Sequence, residues 1–250
     1  MKLRVMICAI VAGAALFADD TTSPTFGLIR VTDANSCNTI LGVPWKNIGD
    51  DGNATLSNLV STANLEAGDI VYLYEGNTWC GYELSSGGAW EALTTVNGTT
   101  IVNPESADVK RLARGAGLII QRAHNTNPIY LCGRLDTENA SSTITAGTSP
   151  SDTVQTLFAN GGTSDLDLNT ASVVGGAGDR IIVPLNGGAS IQYEYKNSKW
   201  GRYEKQSVTK TFGSRTITLN QDVWTEGCTI PVGTGAWYLS AGGNPTITWQ

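Results

Sequence analysis

Residues able to do covalent chemistry are few and scattered along this chain. A Ser/His/Asp or Cys/His mechanism needs a histidine, and there is one, His124, in the turn-like stretch Arg122-Ala123-His124-Asn125-Thr126-Asn127-Pro128. No G-x-S-x-G elbow accompanies it, and no cysteine sits in a nucleophile signature. His124 is expected in an exposed loop. Paired carboxylates would suit glycoside hydrolysis, where the fold rather than the spacing sets their separation. Glu83 and Glu194, each beside a tyrosine on an expected strand, are the candidates. Their surroundings recur in both halves of the chain, which favours scaffold, with tyrosine toward the core and glutamate toward solvent. No catalytic residue is assigned, and a secreted hydrolase is the weakest of three functional expectations.

Ligand-binding chemistry is equally sparse. Asp165-Leu166-Asp167-Leu168-Asn169 places oxygen side chains at alternate positions, as an EF-hand loop begins. Thr170 stands where that loop requires glycine, and Gly176 where it requires a bidentate glutamate. A polar loop is the expectation, there and at Asp50-Asp51-Asn53, and neither a metal nor another cofactor is assigned. Gly175-Gly176-Ala177-Gly178 leads into Asp179-Arg180 and a strand, not into a helix with a lysine, so it fits a hairpin turn and not a phosphate loop. Of the five cysteines, Cys8 lies in the apolar start of the chain that is expected to be removed on export, and the other four, Cys37, Cys80, Cys132 and Cys228, lie too far apart for a zinc site. In an exported chain their even number points to disulfides of undetermined pairing, with buried free thiols as the alternative.

Export is read from the first residues. Met1-Lys2-Leu3-Arg4 is a basic start, Val5 to Phe17 an apolar run, and Ala18 a small residue before Asp19-Asp20. At about 13 residues the run falls short of the roughly 20 that span a bilayer. Residues 1–18 are therefore expected to be a signal peptide, and no membrane span is expected. The whole chain carries a formal charge of −6, and loss of Lys2 and Arg4 makes it more acidic. With no basic cluster interleaved with aromatics, nucleic acid is excluded as a partner. Charged residues are only 15% of the chain, while 29 glycines and many Thr, Ser and Asn suit turns and exposed strand faces.

The elements that would position these residues come in two copies. AGDIVYLYEGNTWCGYELSSGGAW (67–90) aligns with AGDRIIVPLNGGASIQYEYKNSKW (177–200) at an offset of about 110 residues. Downstream, Gly115 to Ile120 corresponds to Gly233 to Tyr238, and Asn127-Pro128 to Asn244-Pro245. Order and spacing agree at each station, the signature of an internal duplication. Period-2 alternation at Ile191 to Tyr195 and Thr216 to Leu219 predicts half-buried strands. Leu56, Leu59, Val60 and Ala63 have helical spacing behind Asn53-Ala54-Thr55, so one short helix is expected there. The expected fold is all-β: two tandem divergent β-sandwich or barrel-like repeats packed together, with at most one or two short helices. Their bounds are 24–135 and 152–250, joined by a linker or surface loop at 136–151.

A turn with Gly-Asp, an aliphatic strand, a Gly/Asn turn, a Tyr-x-[YL] strand, Trp and then Gly-x-Gly resembles uncharacterised β-repeat proteins exported by planctomycete and verrucomicrobial bacteria. In those proteins the pattern follows a signal peptide and a segment like N-L-I-x-N-P. Thr39 to Pro44 (TILGVP) and Thr156 to Asn160 (TLFAN) stand in that place here. What the resemblance implies is an exported surface or matrix protein without known catalytic residues.

Duplication also sorts six of the seven tryptophans. Trp90 and Trp200 occupy equivalent places and are expected in the two cores, whereas Trp45, Trp79, Trp224 and Trp249 have no counterpart. Exposed, those four would make a platform for stacking sugar rings; buried, they would pack in the cores or between the repeats. The expectation is a non-enzymatic cell-surface or extracellular-matrix protein, at the surface, outside the cell or in the periplasm of a bacterium. A carbohydrate-binding module is the alternative. Extracellular glycans, envelope components or further copies of the chain are the expected partners.

Overall fold

A computed structural model of the chain describes residues 26–31, 39–43, 45–46, 52–75, 78–102, 104–123, 127–135, 140–144, 146–147, 149, 151–171, 173–184 and 189–249. The expected signal peptide, Cys37, Asp50, Asp51 and His124 lie outside the described residues. The first copy runs through β1 (Phe26–Val31), β2 (Thr39–Gly42), β3 (Trp45–Lys46), β4 (Ala54–Thr55), α1 (Leu56–Leu59), β5 (Ile70–Glu75), β6 (Thr78–Leu84) and β7 (Trp90–Ala92). It continues with β8 (Thr95–Val96), β9 (Thr99–Thr100), β10 (Arg111–Leu112), β11 (Gly117–Gln121) and β12 (Ile129–Leu135). The second comprises β13 (Ala140–Thr143), β14 (Val154–Ala159), β15 (Leu166–Asp167), β16 (Arg180–Pro184), β17 (Ser190–Lys196), β18 (Lys199–Phe212), β19 (Arg215–Glu226), β20 (Thr229–Ile230), β21 (Gly235–Ser240) and β22 (Thr246–Trp249).

Sheet order repeats from one copy to the next. The first main sheet is β2-β11-β5-β6-β7 and the second is β14-β21-β16-β17-β18-β19, antiparallel at every pairing. Smaller sheets match as well: β10-β4 with β15-β20, and β1-β12 with β13-β22. The chain is therefore an all-β protein of two tandem repeats. Within residues 136–151, which composition suggested as a linker or surface loop, Ala140–Thr143 form β13, the first strand of the second copy. It pairs with β22, and Ile144 directly after it is fully buried in the second core. A strand bonded along one edge needs few large apolar residues, so its Ser/Thr composition imitated a loop.

Alternation places the two cores. Val71 and Leu73 of β5, Tyr82 and Leu84 of β6 and Trp90 point inward in the first; Ile181, Val183, Tyr193 and Trp200 do so in the second. Glu83 and Glu194 stand half-buried on the opposite face. Leu56, Leu59 and Val60 close the first core, but α1 lasts one turn behind Thr55, whose side chain makes no capping bond. A 3-10 turn takes over at Thr62–Asn64 and leaves Ala63 exposed.

Each copy is tied together by a buried aspartate at the head of β5 or β16. Asp69 accepts hydrogen bonds from Glu66 N–H at 3.0 Å, Ala123 N–H at 2.6 Å and Arg122 Nε at 3.0 Å. Asp179 accepts from Gly176 N–H at 2.7 Å, Ala241 N–H at 2.7 Å and the Tyr238 hydroxyl at 2.6 Å. Two backbone donors thus recur at equivalent places, Glu66 with Gly176 and Ala123 with Ala241, whereas the third donor is a cation in one copy and a phenol in the other. Both carboxylates are fully buried. Burial and the Asp179 carboxylate push the Tyr238 hydroxyl well above its ordinary range, so it stays a donor. Gly68 and Gly178, just before these aspartates, have φ of 91° and 89°, which L side chains rarely adopt.

The copies meet across a pseudo-two-fold axis. Gly42 N–H donates to Gly233 O and Ala159 N–H to Gly115 O, both at 2.9 Å, and backbone bridges join Leu41 to Thr234 and Phe158 to Ala116. Under the duplication each contact is the image of the other, as in the isologous interface of a homodimer. Close approach requires glycine: a Cβ on Gly117 would lie 2.6 Å from Leu157 Cγ, and one on Gly235 2.4 Å from Ile40 Cγ2. Arg114 Nε adds a buried bond to Gly161 O at 2.5 Å.

Asp69→Ala removes the counter-charge beside the buried Arg122 and is expected to lower the urea-unfolding free energy by about 3–5 kcal/mol. Glu83→Ala, on the open face of the same sheet, is expected to change it by about 0.5 kcal/mol or less. Gly235→Ala, which overpacks the seam between the copies, is expected to cost about 1–3 kcal/mol in the same measurement.

Candidate functional site

The copies differ most where β7 of the first, three residues long, is replaced by a long hairpin in the second. β18 is bound to β17 only over Lys199–Gly201, and from there β18 and β19 run on as a two-stranded arm paired from Gly201–Glu226 to Phe212–Arg215 without a bulge. Gly213, with φ of 62°, opens the two-residue turn at its tip. Thr216 to Leu219 were expected half-buried, but both of their faces are exposed, with Ile217 and Leu219 at 45% and 46%. The alternation is genuine; no part of the described chain covers its apolar side.

One face of the arm is a polar ladder. Ser207 Oγ donates to Asn220 Oδ1 at 2.7 Å, the Thr209 and Thr218 hydroxyls meet at 3.3 Å, and Lys205 Nζ pairs with Asp222 at 3.1 Å. Such exposed pairs contribute little each. At the root, Tyr203, half exposed, stands edge-on to Trp224 at 5.2 Å between ring centroids. Lys196 Nζ bonds the Tyr203 hydroxyl at 2.6 Å and lies 5.3 Å from that ring and 5.8 Å from the Trp224 ring. Trp224 lies over the backbone of Gly201, where a Cβ would come within 2.7 Å of its ring. Arg202, paired with Glu204, lies 5.6 Å from the Tyr193 ring and so fixes the other face of the root to the core.

The four unshared tryptophans do not form one platform. Trp79 is half-buried between the copies, 5.8 Å from Trp237 of β21 and 4.9 Å from Tyr74. Trp224 belongs to the arm root. Trp45 pairs with Leu135 and Trp249 with Ala140 through their backbones, and their side chains lie outside the described residues. Trp90 and Trp200 are buried, and the Trp200 indole N–H donates to Val173 O at 2.9 Å.

No disulfide forms among the described residues: Cys80, Cys132 and Cys228 are free thiols. Their placement is the reason. Cys80 is on β6 against the first core, Cys132 is on β12 in a different sheet, and Cys228 is inside the second core. Cys80 opens on a cavity of about 190 Å³ that it shares with Tyr82, Leu93, Ile101, Glu105 and Lys110. Lys110 Nζ is held by Glu75 at 2.5 Å and Glu105 at 3.8 Å. Burial, reinforced by those two carboxylates, pushes the Cys80 thiol up, and Lys110 only partly offsets it. A thiol so placed is protonated and a poor nucleophile. Burial raises Cys132 and Cys228 likewise.

The oxygen side chains of the Asp165 to Asn169 loop are committed to the backbone. Asp165 accepts from Val232 N–H at 3.1 Å and Asp167 from Asn169 N–H at 2.9 Å. Asn169 grips Trp200 at both ends, donating to its carbonyl at 2.9 Å and accepting from its N–H at 2.8 Å. No group of three metal-ligating side chains gathers among the described residues. Glu83 lies in the first main sheet, opposite Glu91, and Glu194 in the second, opposite Gly201. Among the described residues no helix is long and apolar enough to cross a membrane.

No family model, no curated protein and no solved structure matches this chain. Sequence reasoning missed Arg122 and Tyr238 as aspartate partners and Tyr203 with Lys196 at the arm root. The arm itself had a signal: between Arg202 and Glu226 there is no proline and a single glycine, Gly213, near the centre.

Alkylation by iodoacetamide checks the thiols. A raised pKa means less thiolate at any given pH, so the Cys80 rate is expected to keep climbing beyond pH 9.0, the ordinary thiol value. Cys228 is expected to react only after unfolding.

Proposed function

We propose that this is an exported, non-enzymatic cell-surface or extracellular-matrix protein that docks through the β18–β19 arm. One observation carries it: a ribbon with solvent on both faces and an open edge, built only into the second copy. A two-stranded ribbon is marginal by itself, so a long one is maintained for a partner that completes it. Support comes also from the chemistry around it. Burial pushes the described thiols up, Lys110 at the cavity pairs with Glu75 and more distantly with Glu105, and Glu83 and Glu194 stand in separate sheets.

Carbohydrate binding is the alternative, favoured by half-exposed Tyr203 beside Trp224 and Lys196. A half-exposed aromatic face lets the C–H face of a sugar stack on it, and the adjacent Lys196 ammonium is placed to donate to sugar hydroxyls.

Replacing residues 205–222 by an Asn-Gly turn closes the hairpin on the Glu204–Val223 pair and leaves both cores untouched. The intact protein is expected to fractionate with the cell envelope and the shortened variant to remain in the soluble fraction with an unchanged melting temperature. Equal fractionation of the two would refute docking through the arm. A glycan-array signal lost on Trp224→Ala and kept on shortening would favour the sugar-binding alternative.

A further inference from the structure

We propose that the arm's partner is a second copy of this chain, joined antiparallel along the open edge of β19. This rests on the docking role just assigned to the arm and names its occupant. The two-residue turn closes on a hydrogen-bonded pair, Phe212–Arg215, and bonded pairs then recur at every second position. Gly227 N–H, which donates to Trp200 O at 2.9 Å, keeps the same parity at the root. Thr216, Thr218, Asn220 and Asp222 of β19 therefore turn their N–H and C=O groups outward, to an edge with no strand beside it among the described residues.

That edge carries none of the devices that keep sheet edges apart. From Thr216 to Gln221 it has no charge, no proline and no bulge. The charges that flank it do not oppose their likes: in the antiparallel register with Asn220 on Asn220, Arg215 meets Thr225, Asp222 meets Thr218 and Glu226 meets Ser214 of the other copy. The outer edge of β18 is better guarded, since its uncharged run is only Gln206 to Thr209, between Lys205 and Lys210. Parity limits the registers to those that pair outward-facing residues with one another, such as Asn220 on Asn220. Those registers also keep Ile217, Leu219 and Val223 of both copies on one face. The product is a four-stranded sheet in place of two marginal ribbons, with an apolar patch doubled in width.

Sedimentation velocity of the purified protein tests this, with two cross-strand prolines as the discriminating pair. Thr209 and Thr218 face each other on the arm. Thr218→Pro removes an outward N–H of β19, and Thr209→Pro removes the corresponding one of β18. Expected are a concentration-dependent doubling of mass for the unaltered protein and for Thr209→Pro, and association weakened at least roughly tenfold for Thr218→Pro. An unaltered protein that stays monomeric, a dimer that survives Thr218→Pro, or one lost equally with both prolines would overturn the β19 seam. Loss of self-association with envelope fractionation still dependent on the arm would leave docking intact and reassign the partner. Loss of both would end both proposals.

Discussion

A carboxylate removed from water must be met by donors on every side, or the fold that buries it does not form. Asp69 and Asp179 satisfy that demand by gathering the ends of strands distant in sequence. Each binds the turn before its own strand and the segment after β11 or β21, so the middle of the main sheet closes on a single charged group. Position, not stabilisation alone, is what they supply. Tyr82 and Tyr193 lie on neighbouring strands whose first backbone bonds, Leu84 N–H to Asp69 O and Tyr195 N–H to Asp179 O, are made by the same aspartates. The register of each core follows from them.

Between the copies the constraint is geometric. Glycines at Gly42, Gly117 and Gly235 let backbones approach to a distance that no side chain tolerates, and reciprocal bonds follow. The two-fold is broken where Trp237 of the second copy meets Tyr74 and Trp79 of the first. Val232 likewise crosses over into the first core. The repeats are thus one folded body joined like two subunits.

Much of this was legible in the residues. The duplication, the inward tyrosines and the two core tryptophans follow from period-2 alternation and from spacing shared between the copies. Less visible was the first strand of the second copy, because Ala140 to Thr143 has the composition of a loop and gains its order from β22. The role of Asp69 was half readable: a Gly-Asp turn is a local signal, whereas its bond to Arg122 joins the ends of neighbouring strands 53 residues apart in sequence and has none. Cys80, Cys132 and Cys228 are not bridged to one another, since evenness in number says nothing of distance in space. The arm was hidden for the opposite reason. Its sequence is a good amphipathic strand, and local pattern cannot reveal that the described chain has nothing to lay against it.

Because β18 passes from the second core into the arm without a joint, the arm is also a mechanical element. A pull on its tip along the strand would run straight to Trp200, where the indole ring is locked in the core and Asn169 holds both backbone groups. Load in that direction shears the ladder to β17 rather than opening it one bond at a time, and the residue that bears it is held by its ring and by both of its backbone groups.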